Sequence, residues 1–215
     1  MKIRIGTIYR IELINYLEQT EFKGPVLDVG CHDNSNLNFV TAPLKIGIDM
    51  EREGKIEGIN FVQADARFLP FRNDAFDQIF MMDVIEHIDD ETGLSKALAR
   101  VLKPSGEILL STPSKKIQLN PWFLTKYISK KWGHFYRLGY TDIELKQLFT
   151  DDFEITIKEW DAKWWRFFYL LLRFAVEIYP KLGEFLIRKI FALDTKATQG
   201  LHGYLILKGK KIHES

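Results

Sequence analysis

Five short apolar runs in the first half of the chain constrain its architecture more than any other feature. They are Val26-Leu27-Asp28-Val29-Gly30, LKIGID at 44–49, INFVQAD at 59–65, FDQIFMMD at 76–83 and GEILLST at 106–112. Most are nearly uninterrupted in hydrophobicity. A strand of that kind is buried on both faces, which is the environment of a parallel sheet sandwiched between helices. Residues 91–102 are helical by composition and are stopped by Lys103-Pro104-Ser105-Gly106. Ahead of the first run, residues 8–20 place Ile11, Ile14, Tyr16 and Leu17 at helical spacing, and Lys23-Gly24-Pro25 ends that helix. Two alternating runs, FEITIKEW at 153–160 and GYLILKG at 203–209, close the chain.

A chain of 215 residues, 46% hydrophobic and 27% charged, is ordinary globular material. One domain over 1–215 is expected, with an N-terminal helix within about 1–23 and a helical insertion over about 162–193 before the last strand. The net charge of +1 leaves no global field that would recruit nucleic acid. The lone cysteine, Cys31, cannot build a disulfide framework or a cysteine zinc site, which fits a reducing cytoplasm. Lys2, Arg4, Arg10 and Glu12 interrupt the N-terminus, so no signal peptide is expected. The most apolar stretch, 164–179, holds Arg166, Arg173 and Glu177 and falls short of the ~20 residues a membrane span needs.

In a doubly wound sheet, ligands bind beyond the carboxyl ends of the strands. Gly30 there permits a tight turn against a ligand. Asp49, about 20 residues after that loop, is placed to accept from a ribose diol. Met50 offers an apolar face to an adenine. Asp65, between Ala64 and Ala66, can accept from an adenine amino group. A strand-end aspartate can instead simply cap the next helix; acidic ends on all three strands, with Asp28 on the first, favour a nucleoside site.

These segments resemble class I methyltransferases. VLDVGCHDN looks like their first motif, IGIDM like the second-strand motif, ADARFLPFRNDAFDQIFMMDVIEHI like the run into the fourth strand, and ARVLKPSGEILLSTP like the fifth-strand motif. WGHFYRLGYTDIELKQLF is similar to the substrate-side segment of small-molecule members, including quinone O-methyltransferases. The resemblance covers roughly residues 24–160. It implies a seven-stranded, mostly parallel α/β sheet with the last strand antiparallel. It also implies S-adenosylmethionine as cofactor, held by Asp28, Gly30, Cys31, His32, Asn34, Asp49, Met50, Asp65, Ala66, Met82 and Asp83. A small-molecule or lipid-linked methyl acceptor follows from the same likeness.

Two of the three loop glycines usual in the first motif are His32 and Asn34 here. Asn tolerates left-handed backbone; His32 adds bulk beside the methionine portion of the cofactor. His87 and His134 are the candidate general bases. If Asp83 opened a helix, Asp83, Glu86 and His87 would share one face. In the quinone O-methyltransferases a similar run is associated with a divalent metal; bracing of the fold is the favoured reading, so no metal is expected. By family position, His134 faces the acceptor. The rival function is a non-catalytic methyltransferase-like binding module; the fourth- and fifth-strand motifs argue against a nicotinamide or nucleotide-sugar enzyme.

Residues 163–193 read as two helices broken near Pro180 and Gly183. Arg166, Arg173 and Glu177 form a narrow polar stripe on the first, and Lys181, Glu184 and Arg188 form one on the second. So much apolar surface fits an intramolecular lid or a homodimer face, with a peripheral membrane contact ranked below them because glutamates dilute the positive charge.

Overall fold

Strands and helices alternate along the chain in the computed structural model, which describes residues 5–18, 20–32, 35–51, 58–131, 133, 137–197, 200 and 202–212. The strands are β1 (Val26–Val29), β2 (Lys45–Asp49), β3 (Asn60–Gln63), β4 (Phe76–Met82), β5 (Leu102–Pro113), β6 (Phe153–Trp160) and β7 (Tyr204–Lys211). The helices are α1 (Ile5–Leu17), α2 (Glu91–Val101), α3 (Thr125–Lys131), α4 (Asp142–Phe149), α5 (Lys163–Ile178) and α6 (Pro180–Asp194). Every apolar run read from the sequence is a strand, to within a few residues. The strand order is β3-β2-β1-β4-β5-β7-β6. Only β7 runs antiparallel to its neighbours; the other adjacent pairs are parallel. The seven-stranded doubly wound sheet is therefore as expected.

The winding reverses between β1 and β4, which opens a crevice at their carboxyl ends. Both strands are largely apolar, apart from Asp28 in β1 and Asp77 and Gln78 in β4, because both faces are covered. Successive residues of a strand point to opposite faces. Phe80 and Met82 of β4 pack with Ile8 and Leu13 of α1, Trp165 of α5 and Ile187 of α6. Ile79 and Met81 pack instead with Leu94 and Leu98 of α2 and Leu145 of α4.

Local chemistry sets the helix ends. Thr141 and Glu144 form a capping box that starts α4. Asp90 caps α2 by accepting from the Gly93 N–H at 2.9 Å. Two sequence expectations shift. Lys103-Pro104-Ser105-Gly106 does not lie between helix and strand, because β5 begins at Leu102, directly after α2. Gly183 does not break the hairpin either: Pro180 opens α6 as its first residue, and Gly183 lies inside that helix. A Cβ on Gly183 would come within 2.5 Å of the Val176 side chain, so glycine there lets α5 and α6 approach closely. Among the described residues, no helix is long and apolar enough to cross a membrane.

Candidate active site

A cavity of about 1140 Å³ opens at the carboxyl ends of the central strands. Pockets for a single small ligand run to roughly 300–1,000 Å³, so this one has room for a nucleoside cofactor and a second molecule. One end is lined by Gly30, His32, Asp49, Met50, Asp65 and Ala66, and the other by Trp165, Tyr169 and Val176 of α5. Met82, Asp83, Glu86 and His87 line the cavity as well.

Gly30 follows β1 at a φ of 74°, in the left-handed region. A Cβ there would come within 2.3 Å of Val84 Cγ2, so the loop needs a residue without one. His32 is also left-handed, at a φ of 50°. Its backbone N–H donates to Asp49 Oδ2 at 2.9 Å, which ties the first loop to the end of β2. A carboxylate has about four acceptor positions, so Asp49 keeps capacity toward the cavity. Met50 is largely exposed at the rim.

Other expected cofactor residues stand differently. Asp28 is fully buried and accepts from Asn36 Nδ2 at 3.2 Å. Cys31 is buried, with its N–H on the Ile48 carbonyl at 2.9 Å. Both support the loop from beneath and do not line the cavity. Asp65 takes the backbone N–H of Arg67 at 2.9 Å and that residue's guanidinium at 2.7–3.1 Å. Arg67 thus fills its acceptor positions and holds its carboxyl below the usual range. The helix-cap alternative describes this aspartate in the present arrangement, and an adenine amino group would have to displace Arg67. Asn34 and His134 lie outside the described residues, as do Asp33 and Trp132.

Asp83 does not open a helix. It adopts a φ of 56°, and a 3-10 turn follows over Ile85–His87. Its carboxylate accepts from Ser111 Oγ at 2.7 Å and from Arg10 Nε at 3.0 Å, which draws α1 over the cavity. Glu86 Oε2 accepts from Thr112 Oγ1 at 3.0 Å. His87 instead places Nδ1 3.1 Å from the Gly133 carbonyl. The three are therefore not gathered on one face, and among the described residues no group of three or more His, Cys, Asp or Glu converges as a metal site would require.

Burial, and then the charge of Asp83, push the Glu86 carboxyl up to about 8. The folded state thus holds a proton that an unfolded glutamate releases near 4.5. Between those two values stability falls as pH rises, because the folded chain binds the extra proton. Glu86→Gln mimics the protonated form. It is expected to melt like the wild type at pH 4 and to gain on it progressively to pH 8, by on the order of 1–3 kcal/mol, with a constant gap above. Thermal melts across that range check this; a gap that ignores pH would mean Glu86 is ionised in the fold.

Several residues that shape the site carried no sequence signal. Gly6, Thr7, Tyr9 and Arg10 of α1 and Tyr204 of β7 line the cavity, although they lie outside every strand-end motif. Arg10 was legible only as one of two charged residues in a mostly apolar helix.

The chain was compared with known proteins. Residues 27–110 match the family model described as "Methyltransferase domain". A "Ubiquinone/menaquinone biosynthesis C-methyltransferase UbiE" of Pectobacterium atrosepticum is 37% identical over 75 residues, 34% of this chain and 30% of the relative. The match thus spans less than a third of that relative's length. Among solved structures, the Haemonchus contortus phosphoethanolamine N-methyltransferase 2 bound to S-adenosylhomocysteine superposes with a TM-score of 0.65 at 16% identity, covering 97% of this chain and 53% of that one. The Bacillus subtilis YcgJ protein superposes with a TM-score of 0.61 at 18% identity, covering 95% and 98%. The resemblance read from the motifs holds in that core: residues 27–110 match a methyltransferase domain, the chain has the fold of the S-adenosylmethionine-dependent methyltransferases, and its core is similar to quinone-biosynthesis methyltransferases, of the C-methylating kind where the motifs had suggested O-methylating ones.

Proposed function

We propose that this chain transfers a methyl group from S-adenosylmethionine to a small-molecule acceptor of the quinone type. The observation that carries the reading is the continuous cavity. It runs from the Gly30–His32–Asp49 end, where backbone and carboxylate suit a nucleoside, to the aromatic end under α5, where an apolar ring fits. The acceptor class comes from the similar quinone methyltransferases.

Gly30 lets the loop backbone approach the cofactor, and Asp49 accepts from its ribose while anchoring His32. Met50 covers the adenine at the rim, and Asp83, held by Arg10 and Ser111, closes the methionine end. When bound, S-adenosylmethionine supplies an electrophilic methyl group on a sulfonium. The protein's share is to align the acceptor in line with that methyl, and effective molarities for oriented pairs reach ~10⁵–10⁸ M. Trp165 and Tyr169 hold an aromatic acceptor by packing. His87 takes the proton that the acceptor loses as its bond to the methyl forms: the Gly133 carbonyl accepts from Nδ1–H, which leaves the basic lone pair on Nε2. His134, from the segment that resembles the substrate side of small-molecule members, is the second candidate base.

Calorimetric titration with S-adenosylhomocysteine tests the cofactor half. Asp49→Ala is expected to weaken binding by about 1.5–3 kcal/mol, the scale of a hydrogen bond to a charged group. No binding by the wild type would leave the non-catalytic module as the better reading, and unchanged affinity in the variant would remove Asp49 from the site. Methyl transfer to a demethylated quinone tests the acceptor half.

A further inference from the structure

Helix α5 has three faces. Trp165, Tyr169, Leu172 and Val176 point inward and are buried. A polar seam follows, in which Arg166 pairs with Asp161 at 2.6 Å and Arg173 with Glu177 at 3.8 Å. The third face carries Phe167, Leu171, Phe174 and Ile178, which are 53%, 62%, 63% and 49% exposed. Their spacing of four, three and four residues makes one stripe. Tyr179, between the two helices, and Leu182 and Phe185 of α6 add to it, each at least half exposed. The inner face already roofs the cavity, so a lid role leaves this outer face uncovered.

The ion pairs change the weighing made from composition. Glu177 and Glu184 are spent on Arg173 and Arg188. Lys163, Lys181 and Lys189 pair with no acid among the described residues; Lys163 and Lys189 lie 5.4 Å from the Trp164 and Phe185 ring centres. The uncompensated charge on the hairpin is therefore positive and set among aromatic side chains. A second exposed aromatic cluster, Trp122, Phe123 and Tyr127, is joined to this one where the Asn120 N–H donates to the Arg166 carbonyl at 3.2 Å. Lys126 and Lys130 accompany it.

From this we infer that the outer face of the α5–α6 hairpin docks on the surface of an anionic lipid bilayer. The helices lie in the interface plane, with apolar side chains at the acyl boundary and lysines at the phosphates. A second copy of the chain fits less well. Across a two-fold axis the patch would meet itself, with no free acid to receive the lysines, and interface cores are depleted in lysine. Docking brings the cavity roofed by α5 to the lipid surface, where a lipid-linked acceptor resides. The docking itself stands whether or not the cavity transfers methyl groups.

Flotation of the full chain with phosphatidylcholine vesicles, and with vesicles that also contain phosphatidylglycerol, tests this beside light scattering. The wild type is expected to float with the anionic vesicles, and less so in high salt. Lys163→Gln/Lys181→Gln/Lys189→Gln alters only exposed positions, so its fold is kept. It is expected to bind the anionic vesicles on the order of 100-fold more weakly, the worth of three surface lysines. Phe167→Ser/Leu171→Ser/Phe174→Ser, with its circular dichroism melt unchanged, is expected to remain unbound. A wild type that ignores anionic vesicles overturns the inference. So does flotation that the lysine substitutions leave unaltered, or a non-floating dimer that the serine variant splits. Binding of S-adenosylhomocysteine, measured separately, distinguishes this failure from failure of the methyltransferase reading.

Discussion

His87→Ala is expected to lower kcat for methyl transfer by about 10²–10⁴-fold, the usual share of a positioned general base, while S-adenosylhomocysteine affinity stays at the wild-type value. The split follows from placement. His87 lines the cavity without bonding to Gly30 or Asp49, and its tautomer is set by the Gly133 carbonyl. In the proposed mechanism the substitution removes the group that meets the acceptor and leaves the proposed polar partners of the cofactor in place. Single-turnover transfer measured with saturating cofactor reads the chemical step alone. A variant that transfers at the wild-type rate would assign proton removal elsewhere, with His134 the next residue to replace.

Asp194→Ala is expected to destabilise the protein by about 3–4 kcal/mol, out of the ~5–15 kcal/mol typical of a domain. Asp194 ends α6 and is only 5% exposed. It accepts from the backbone N–H groups of Trp164 at 2.7 Å and Trp165 at 3.1 Å, and from the Tyr9 hydroxyl at 2.8 Å. Trp160 Nε1 donates in turn to that hydroxyl at 2.9 Å. Helix α5 needs this help because Ala162, the residue before it, offers no capping side chain. One carboxylate therefore joins α1, α5 and α6. Alanine leaves three buried donors, each costing about 1–3 kcal/mol. Relief of the carboxylate's burial, which raises its pKa, offsets part of that. Asp194→Asn keeps one acceptor oxygen and should fall between. Denaturant unfolding gives the total, and amide exchange at Trp164 and Trp165 should quicken first; a variant with unchanged midpoint and exchange would show that the hairpin is held by its apolar contacts alone.

How much was legible in advance follows from the range of the forces involved. The central strands were readable because they bury both faces, and that demand is written residue by residue in runs such as 26–30 and 76–83. The gathering of Gly30, Asp49 and Asp65 at one cavity was readable as well, since all three owe their positions to strand ends. Their roles there were not. Asp65 spends its acceptor positions on Arg67, two residues away, and whether a strand-end aspartate caps or binds depends on where that guanidinium settles. Asp83, Glu86 and His87 looked like one helical face, yet a left-handed Asp83 separates them. The hairpin's length and apolar character were plain, but which of its charges pair was not, because composition counts glutamates without showing which arginines they face. Sequence by itself determined the sheet, its strand ends and the place of the insertion, since burial of apolar runs and turn chemistry act over a few residues. Only the tertiary structure decided that Arg10 clamps Asp83, that Asp194 closes the hairpin and that three lysines are left among exposed aromatics. Those outcomes rest on hydrogen bonds and ion pairs whose partners can lie as far as 185 residues apart, as Tyr9 and Asp194 do, and such partners are chosen by packing, which no local pattern encodes.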